Sequence, residues 1–272
     1  MSEFIGTGKD GKLTKKEIVL IHGTGGHGFN WDEMRAELEQ RGYSVHTPTL
    51  RYHDLPIQEA ATKIANVRLL DYVSDLVDLV KTLEEPPIIG GGSMGGLLAQ
   101  LVGARVESKG LLLLSTAPAW GMYPFYPTTT RAFYKHFLQW GFWRKPLYPD
   151  WEAFRACAAN EQSEEKAREL FAKLNVESGR AYAEMAFWFL DPHRSSRVDV
   201  NAITVPVLTI AGAKDRMVSP RIAQLTAERY KKNGTLVVLP DSDHLVMVGK
   251  EQENTLRAFD QWVAENHIFP ET

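Results

Sequence analysis

Three residues far apart in the chain have the types and settings that nucleophilic catalysis requires: Ser93, Asp215 and His244. Ser93 is the centre of the run Gly91-Gly92-Ser93-Met94-Gly95-Gly96, between an apolar stretch and a helix-forming one. A serine at the apex of a tight strand-to-helix turn takes an unfavourable backbone conformation. The positions two before and two after it must therefore carry no side chain. Such a turn exposes the hydroxyl at a helix start, where negative charge is favoured. A hydroxyl is a weak nucleophile and needs a base, itself oriented by a carboxylate. His244 follows the apolar run 235–239, and Asp215 follows the run 206–211. A lone loop aspartate is usually a turn former, and a lone loop histidine is usually just solvated. The order serine, aspartate, histidine, each just past a different strand, is what gives the three their weight. Asp241 and Asp243 lie nearer His244 in sequence and compete for the orienting role, but are expected to serve the turn.

A developing oxyanion needs preorganised N–H donors, which a glycine-rich turn can aim at one point. The run His22-Gly23-Thr24-Gly25-Gly26-His27-Gly28 has that character. The expected donors are the backbone amides of Thr24 and of Met94, the residue after the nucleophile. Gly23, Gly25 and Gly28 also match a dinucleotide-binding string, but no acidic residue closes the next strand at 43–47. A phosphate loop is excluded around Ser93 because no Gly-Lys-Ser/Thr follows. His22 is expected to hold the loop by hydrogen bonds. His27 is a candidate for the pocket wall beside it, while His53, His136, His193 and His267 have no comparable context.

The elements that must position these residues alternate along the chain. Apolar runs at 17–22, 43–47, 87–91, 110–115, 206–211 and 235–239 read as strands. Amphipathic runs at 30–41, 69–83, 94–105, 220–232 and 250–265 read as helices. This alternation implies crossover units and an α/β fold with a mainly parallel sheet flanked by helices. Reactive groups in such sheets gather at the carboxyl ends of the strands, where all three candidates fall. Between 119 and 196 the texture changes. That segment holds 18 of the 28 aromatic residues and reads as an inserted helical unit. Pockets are lined mainly by apolar and aromatic groups, so Trp120, Trp140 and Trp143 are candidates for the pocket wall, although such rings equally pack among themselves.

The chain has 272 residues and a net charge of -3, which supplies no concentrated basic face for nucleic acid. Its single cysteine, Cys157, excludes an internal disulfide framework and a cysteine-based zinc cluster. No apolar run approaches the roughly 20 residues of a membrane span. The first ten residues lack a charged-then-apolar leader pattern, so a cytoplasmic protein is expected. The chemistry above calls for no cofactor and no metal, only a small-molecule substrate. The sequence sets no oligomeric state.

These motifs resemble the α/β-hydrolase superfamily over essentially the whole chain. The carriers are His22-Gly23-Thr24-Gly25-Gly26, Gly91-Gly92-Ser93-Met94-Gly95-Gly96, Gly212-Ala213-Lys214-Asp215 and Asp243-His244. The serine turn is similar to those of small carboxylesterases, monoacylglycerol lipases and cofactor-free haloperoxidases. The opening from His22 to Trp31 is similar to that of esterases. The resemblance implies a core from residues 1–118 and 197–272, a helical cap from 119–196, and a pocket between them. It also implies hydrolysis of small to medium apolar or aromatic esters through an acyl-enzyme. Relatives that use an aspartate nucleophile are disfavoured by Ser93, and Gly92 departs from the histidine or phenylalanine common before the nucleophile. The same residues serve carbon–carbon hydrolysis, hydroxynitrile cleavage, thioester hydrolysis and perhydrolysis in other members. A few members are non-catalytic receptors for small molecules.

Overall fold

Short leucine, isoleucine and valine runs punctuated by glycine become the strands of one parallel sheet. The structure is a computed structural model, and it describes residues 15–269; the stretch read for a leader lies outside them. The strands are β1 (Lys16–Ile21), β2 (Tyr43–His46), β3 (Ile88–Gly92), β4 (Gly110–Leu114), β5 (Pro146–Leu147), β6 (Glu177–Ser178), β7 (Val207–Gly212) and β8 (Gly234–Leu239). Six of them form one sheet in the order β2-β1-β3-β4-β7-β8, every neighbour parallel. β5 and β6 pair with each other, antiparallel. The helices are α1 (Asp32–Gln40), α2 (Ile57–Lys63), α3 (Leu69–Val80), α4 (Met94–Gly103), α5 (Pro127–Phe137), α6 (Trp151–Ala153), α7 (Glu164–Ala172), α8 (Gly179–Ala186), α9 (Pro220–Arg229) and α10 (Gln252–Glu265).

The alternation of side chains across the pleat explains why the sheet is covered on both faces. Leu111 and Leu113 join the apolar cluster that includes Val19, Ile21, Ile89 and residues of α3 and α4. Leu112 and Leu114 join the other, with Ile18, Leu20, Met34 of α1 and Phe259 of α10. Every residue of β3 and β4 is buried. The expected fold class therefore forms, with the predicted strands and helices in place to within a few residues. α2 and the β5–β6 pair were not expected. Two-residue strands paired across some 30 positions leave no periodic signal to read.

β1 and β3 are neighbours, yet β2 lies to one side of them and β4 to the other. The strand order reverses there, and the crevice outside the carboxyl ends at such a reversal is where α/β sheets bind ligands. After β4 the chain leaves the sheet, builds α5, β5, α6, α7, β6 and α8, and returns at β7. Among the described residues no helix is long and apolar enough to cross a membrane.

Candidate active site

Ser93 stands between the end of β3 and the start of α4 with φ +54° and ψ −121°. That conformation is strained for any residue with a side chain. The surroundings fix it: the Ser93 amide donates to the Leu114 carbonyl at 2.9 Å, and its own carbonyl accepts from Gly96 at 3.0 Å and Ala117 at 2.9 Å. A methyl group at Gly91 would strike the Gly95 carbonyl, and one at Gly95 would strike the carbonyl of Ile21. The glycines flanking the serine are thus demanded by contact. Gly92 also acquires a reason, since a Cβ there would meet Met247 Cε at 2.6 Å, with Trp31 behind it. The space left by the missing side chain is taken by Met247.

Asp215 and His244 stand in the loops after β7 and β8, which are adjacent strands. His244 Nδ1 and Asp215 Oδ2 are 2.7 Å apart, and both residues are buried. The other aspartate oxygen accepts from the amides of Met217 at 2.8 Å and Val218 at 2.9 Å, which fixes the carboxylate. Burial alone would depress the imidazole, but the Asp215 charge, the hydrogen bond and the nearby Asp243 outweigh it, and the His244 pKa is raised. Asp243 instead accepts from the amides of Glu161 at 2.9 Å and Leu245 at 3.0 Å and from Gln162 at 3.1 Å. Asp241 is ion-paired with Lys214 at 3.1 Å. His244 and Ser93 line the same cavity without a hydrogen bond between them; such contacts often tighten only when substrate binds.

The loop after β1 abuts the serine: a Cβ on Gly23 would lie 3.1 Å from both Ser93 Cβ and the Gly92 carbonyl. Neither the Thr24 nor the Met94 amide donates to a backbone carbonyl among the described residues. Both residues border the space in front of Ser93. His22 is buried and braces this loop, with Nδ1 donating to the Gly23 carbonyl at 2.8 Å and Nε2 accepting from the Leu50 amide at 3.0 Å. Burial, with the neighbouring His53, lowers its pKa to about 3, so it is the neutral tautomer.

Two cavities meet at the serine. The larger, about 180 Å³, is lined by Ser93, His244, Trp31, Phe154 and Met247, among others. The smaller, about 60 Å³, is walled by Met94, Phe125, Phe137, Met185 and Ile222. Ser93, Thr24, Phe133 and Tyr182 border both. The four expected wall residues, His27, Trp120, Trp140 and Trp143, line neither, and each is engaged elsewhere. His27 stacks on Phe29 at 4.0 Å and caps the turn Gly28–Trp31. Trp120 packs on Trp188 at 5.0 Å with Arg194 and Arg197 over its ring. Trp140 is 86% exposed and touches Trp143 edge to face at 5.4 Å. Ring-rich composition located the wall's segment, but the rings that turn inward are others in it, among them Phe133 and Phe137 on α5, Tyr182 on α8, and Phe125 and Phe154 outside both helices.

Sequence reading also missed a buried polar cluster beneath the loop, formed by Glu177, His53 and Tyr72.

The profile described as the alpha/beta hydrolase family matches residues 18–256. A pyrethroid hydrolase from Sphingobium wenxiniae is 31% identical over 111 residues, which span 39% of each chain. A pimeloyl-[acyl-carrier protein] methyl ester esterase from Pseudoalteromonas atlantica is 26% identical over 88% of this chain and 94% of its own. The solved monoacylglycerol lipase of Paleococcus ferrophilus superposes with a TM-score of 0.67 at 17% identity, covering 96% of both chains. That last likeness is one of fold.

Proposed function

The chain belongs to the alpha/beta hydrolase family, and from that premise we propose that it is a serine hydrolase of neutral, apolar carboxylic esters. The observation that carries the reading is the buried 2.7 Å pair of His244 and Asp215, whose histidine lines the same cavity as a serine held at φ +54°. One relative is named a methyl ester esterase and the other a hydrolase, which supports the reaction class.

In this reading His244 Nε2 takes the Ser93 hydroxyl proton as Oγ bonds to the acyl carbon. The carbonyl electrons move onto oxygen, which the amides of Thr24 and Met94 stabilise. As the tetrahedral intermediate collapses, His244 returns its proton to the departing alcohol oxygen. Water then gives a proton to His244 and attacks the acyl-enzyme, and the acid leaves as Ser93 is reprotonated. Asp215 holds the imidazole in the Nδ1–H tautomer and stabilises its cation. Residues 119–196 act as the cap over this chemistry. The two apolar cavities on either side of the serine support an ester with two apolar arms of unequal size.

Ser93→Ala should lower the turnover of p-nitrophenyl butyrate by a thousandfold or more, an order-of-magnitude expectation for a lost nucleophile. A fluorophosphonate probe should label the wild type on the peptide containing Ser93 and leave the variant unlabelled. Retained turnover, or label on another residue, would reject the assignment.

A further inference from the structure

Glu177 is 2% exposed and takes no part in the chemistry above. It belongs to β6, in the segment inserted between β4 and β7, and it borders the larger cavity. Its carboxylate is saturated with donors from four places. Oε2 accepts from the Gly25 amide at 3.1 Å and from His53 Nε2 at 3.1 Å. Oε1 accepts from the Tyr72 hydroxyl at 2.8 Å and from the Ser178 amide at 2.7 Å. His53 Nδ1 in turn faces the Arg51 carbonyl at 3.2 Å. Both ring nitrogens therefore meet acceptors, which the imidazolium satisfies and the neutral ring does not. A buried carboxylate is tolerated at this depth because it is both paired and fully hydrogen-bonded.

Gly25 is gripped twice by this segment, since its carbonyl also accepts from the Asn175 amide at 2.7 Å. Gly25 stands at φ +62°, and a Cβ there would lie 2.5 Å from the Asn175 carbonyl oxygen, so the contact is as close as backbone allows. On the other side of Thr24, Gly23 rests against Ser93. The Thr24 amide is thus suspended between two fixed points, one set by the nucleophile turn and one by the inserted segment.

We propose that Glu177 is a positioning residue: with His53 and Tyr72 it forms a buried latch that docks the inserted segment onto Gly25 and so aims the Thr24 amide at the developing oxyanion. This rests on the serine-hydrolase reading for its catalytic consequence, but its structural half stands without it. The latch makes a prediction about kcat in particular, because a donor aimed at the oxyanion acts in the transition state and not on the bound ester.

The test compares Glu177→Ala, Glu177→Gln, His53→Gln and Tyr72→Phe with the wild type in three measurements. The first is amide hydrogen exchange in the peptide 22–28. The second is kcat and KM on p-nitrophenyl butyrate. The third is the affinity for a trifluoromethyl ketone, whose adduct carries the oxyanion. Glu177→Ala should speed exchange at Gly25 by about tenfold or more. It should also lower kcat by about 10- to 100-fold, with KM within about threefold and ketone affinity falling in step with kcat. Glu177→Gln can keep an acceptor for the Gly25 amide only by turning its NH2 towards the Tyr72 hydroxyl and the Ser178 amide, so it should recover part of the loss. If the alanine variant does not fold, the glutamine, His53→Gln and Tyr72→Phe variants should show the same ordering in milder form. Unchanged exchange at Gly25, or a loss carried by KM alone, overturns the latch. A wild type that is inert to ester and fluorophosphonate, yet whose Gly25 amide is freed by Glu177→Ala, overturns the hydrolase reading and leaves the latch standing.

Discussion

His244 carries two opposing influences on its proton: burial lowers its pKa, and the Asp215 carboxylate, its hydrogen bond and Asp243 raise it by more. In its proposed role as general base the ring must be neutral, so the rate should climb as pH rises through the folded pKa. Because that pKa lies above the ordinary 6.5, the acid limb of kcat/KM should fall above pH 6.5. Asp215→Asn removes the largest raising influence and leaves the burial, so the limb should move to lower pH. At the same time kcat should drop roughly a thousand- to ten-thousandfold, since asparagine no longer enforces the productive tautomer. A pH–rate profile of both forms checks this; a limb unmoved by the substitution would separate Asp215 from His244. Ser93, Asp215 and His244 were legible because each stands in a short turn directly after a strand. Glu177 was not, because its partners Gly25, His53 and Tyr72 come from three separate stretches and none forms a motif with it.

At the scale of elements, α5 and α8 contribute side chains to both cavities at the serine. Phe133 on α5 and Tyr182 on α8 border both cavities and stand as the partition between them. Behind them Phe137 packs against Phe125, Phe142 and Phe187 with ring centroids 5.2–6.3 Å apart. Phe125 and Phe137 thus both wall the smaller cavity and pack on other rings, whereas Phe142 and Phe187 line neither cavity. The composition announced the segment, but a helix buries one face only, and α5 packs chiefly on residues 151–158 and α8 on 142–144 and 188–190. The partition gives a test with two opposite outcomes. Phe133→Ala removes the wall and should move the optimum of a p-nitrophenyl ester series toward longer chains. Ala186→Leu, at a residue bordering only the smaller cavity, should move it toward shorter ones. A chain-length profile of kcat/KM for each variant reads both shifts, and parallel shifts in one direction would refute the partition.

Across the whole molecule, the parallel sheet sets the distances on which the site depends. β3 is interior and ends at Ser93, while β7 and β8 are adjacent and end at the loops of Asp215 and His244. The order of strands could be anticipated only as alternation. The sequence contains no sign that β1 would neighbour β3 rather than β2 alone, because crossover helices hide the pairing. With the site seated on strand ends, identical losses of core volume should differ in their effect on chemistry according to height along a strand. Leu112 and Leu114 are both buried on the α1 and α10 side. Leu112 packs over Gly90 in the middle of the sheet, whereas the carbonyl of Leu114 receives the Ser93 amide at 2.9 Å. Truncating either leucine to alanine should cost about 2–5 kcal/mol. For a chain of this size the melting temperature should fall by roughly 2–4 °C for each of those kcal/mol. Relaxation around Leu112→Ala stays in mid-sheet, so kcat at 25 °C should remain within about twofold of wild type. Relaxation around Leu114→Ala moves the carbonyl that seats the serine turn, and small displacements of a reacting group are costly, so kcat should fall by about tenfold. Thermal unfolding and steady-state kinetics on the same two proteins decide it: equal melting losses with equal kcat losses would mean that the site does not take its geometry from the strand ends.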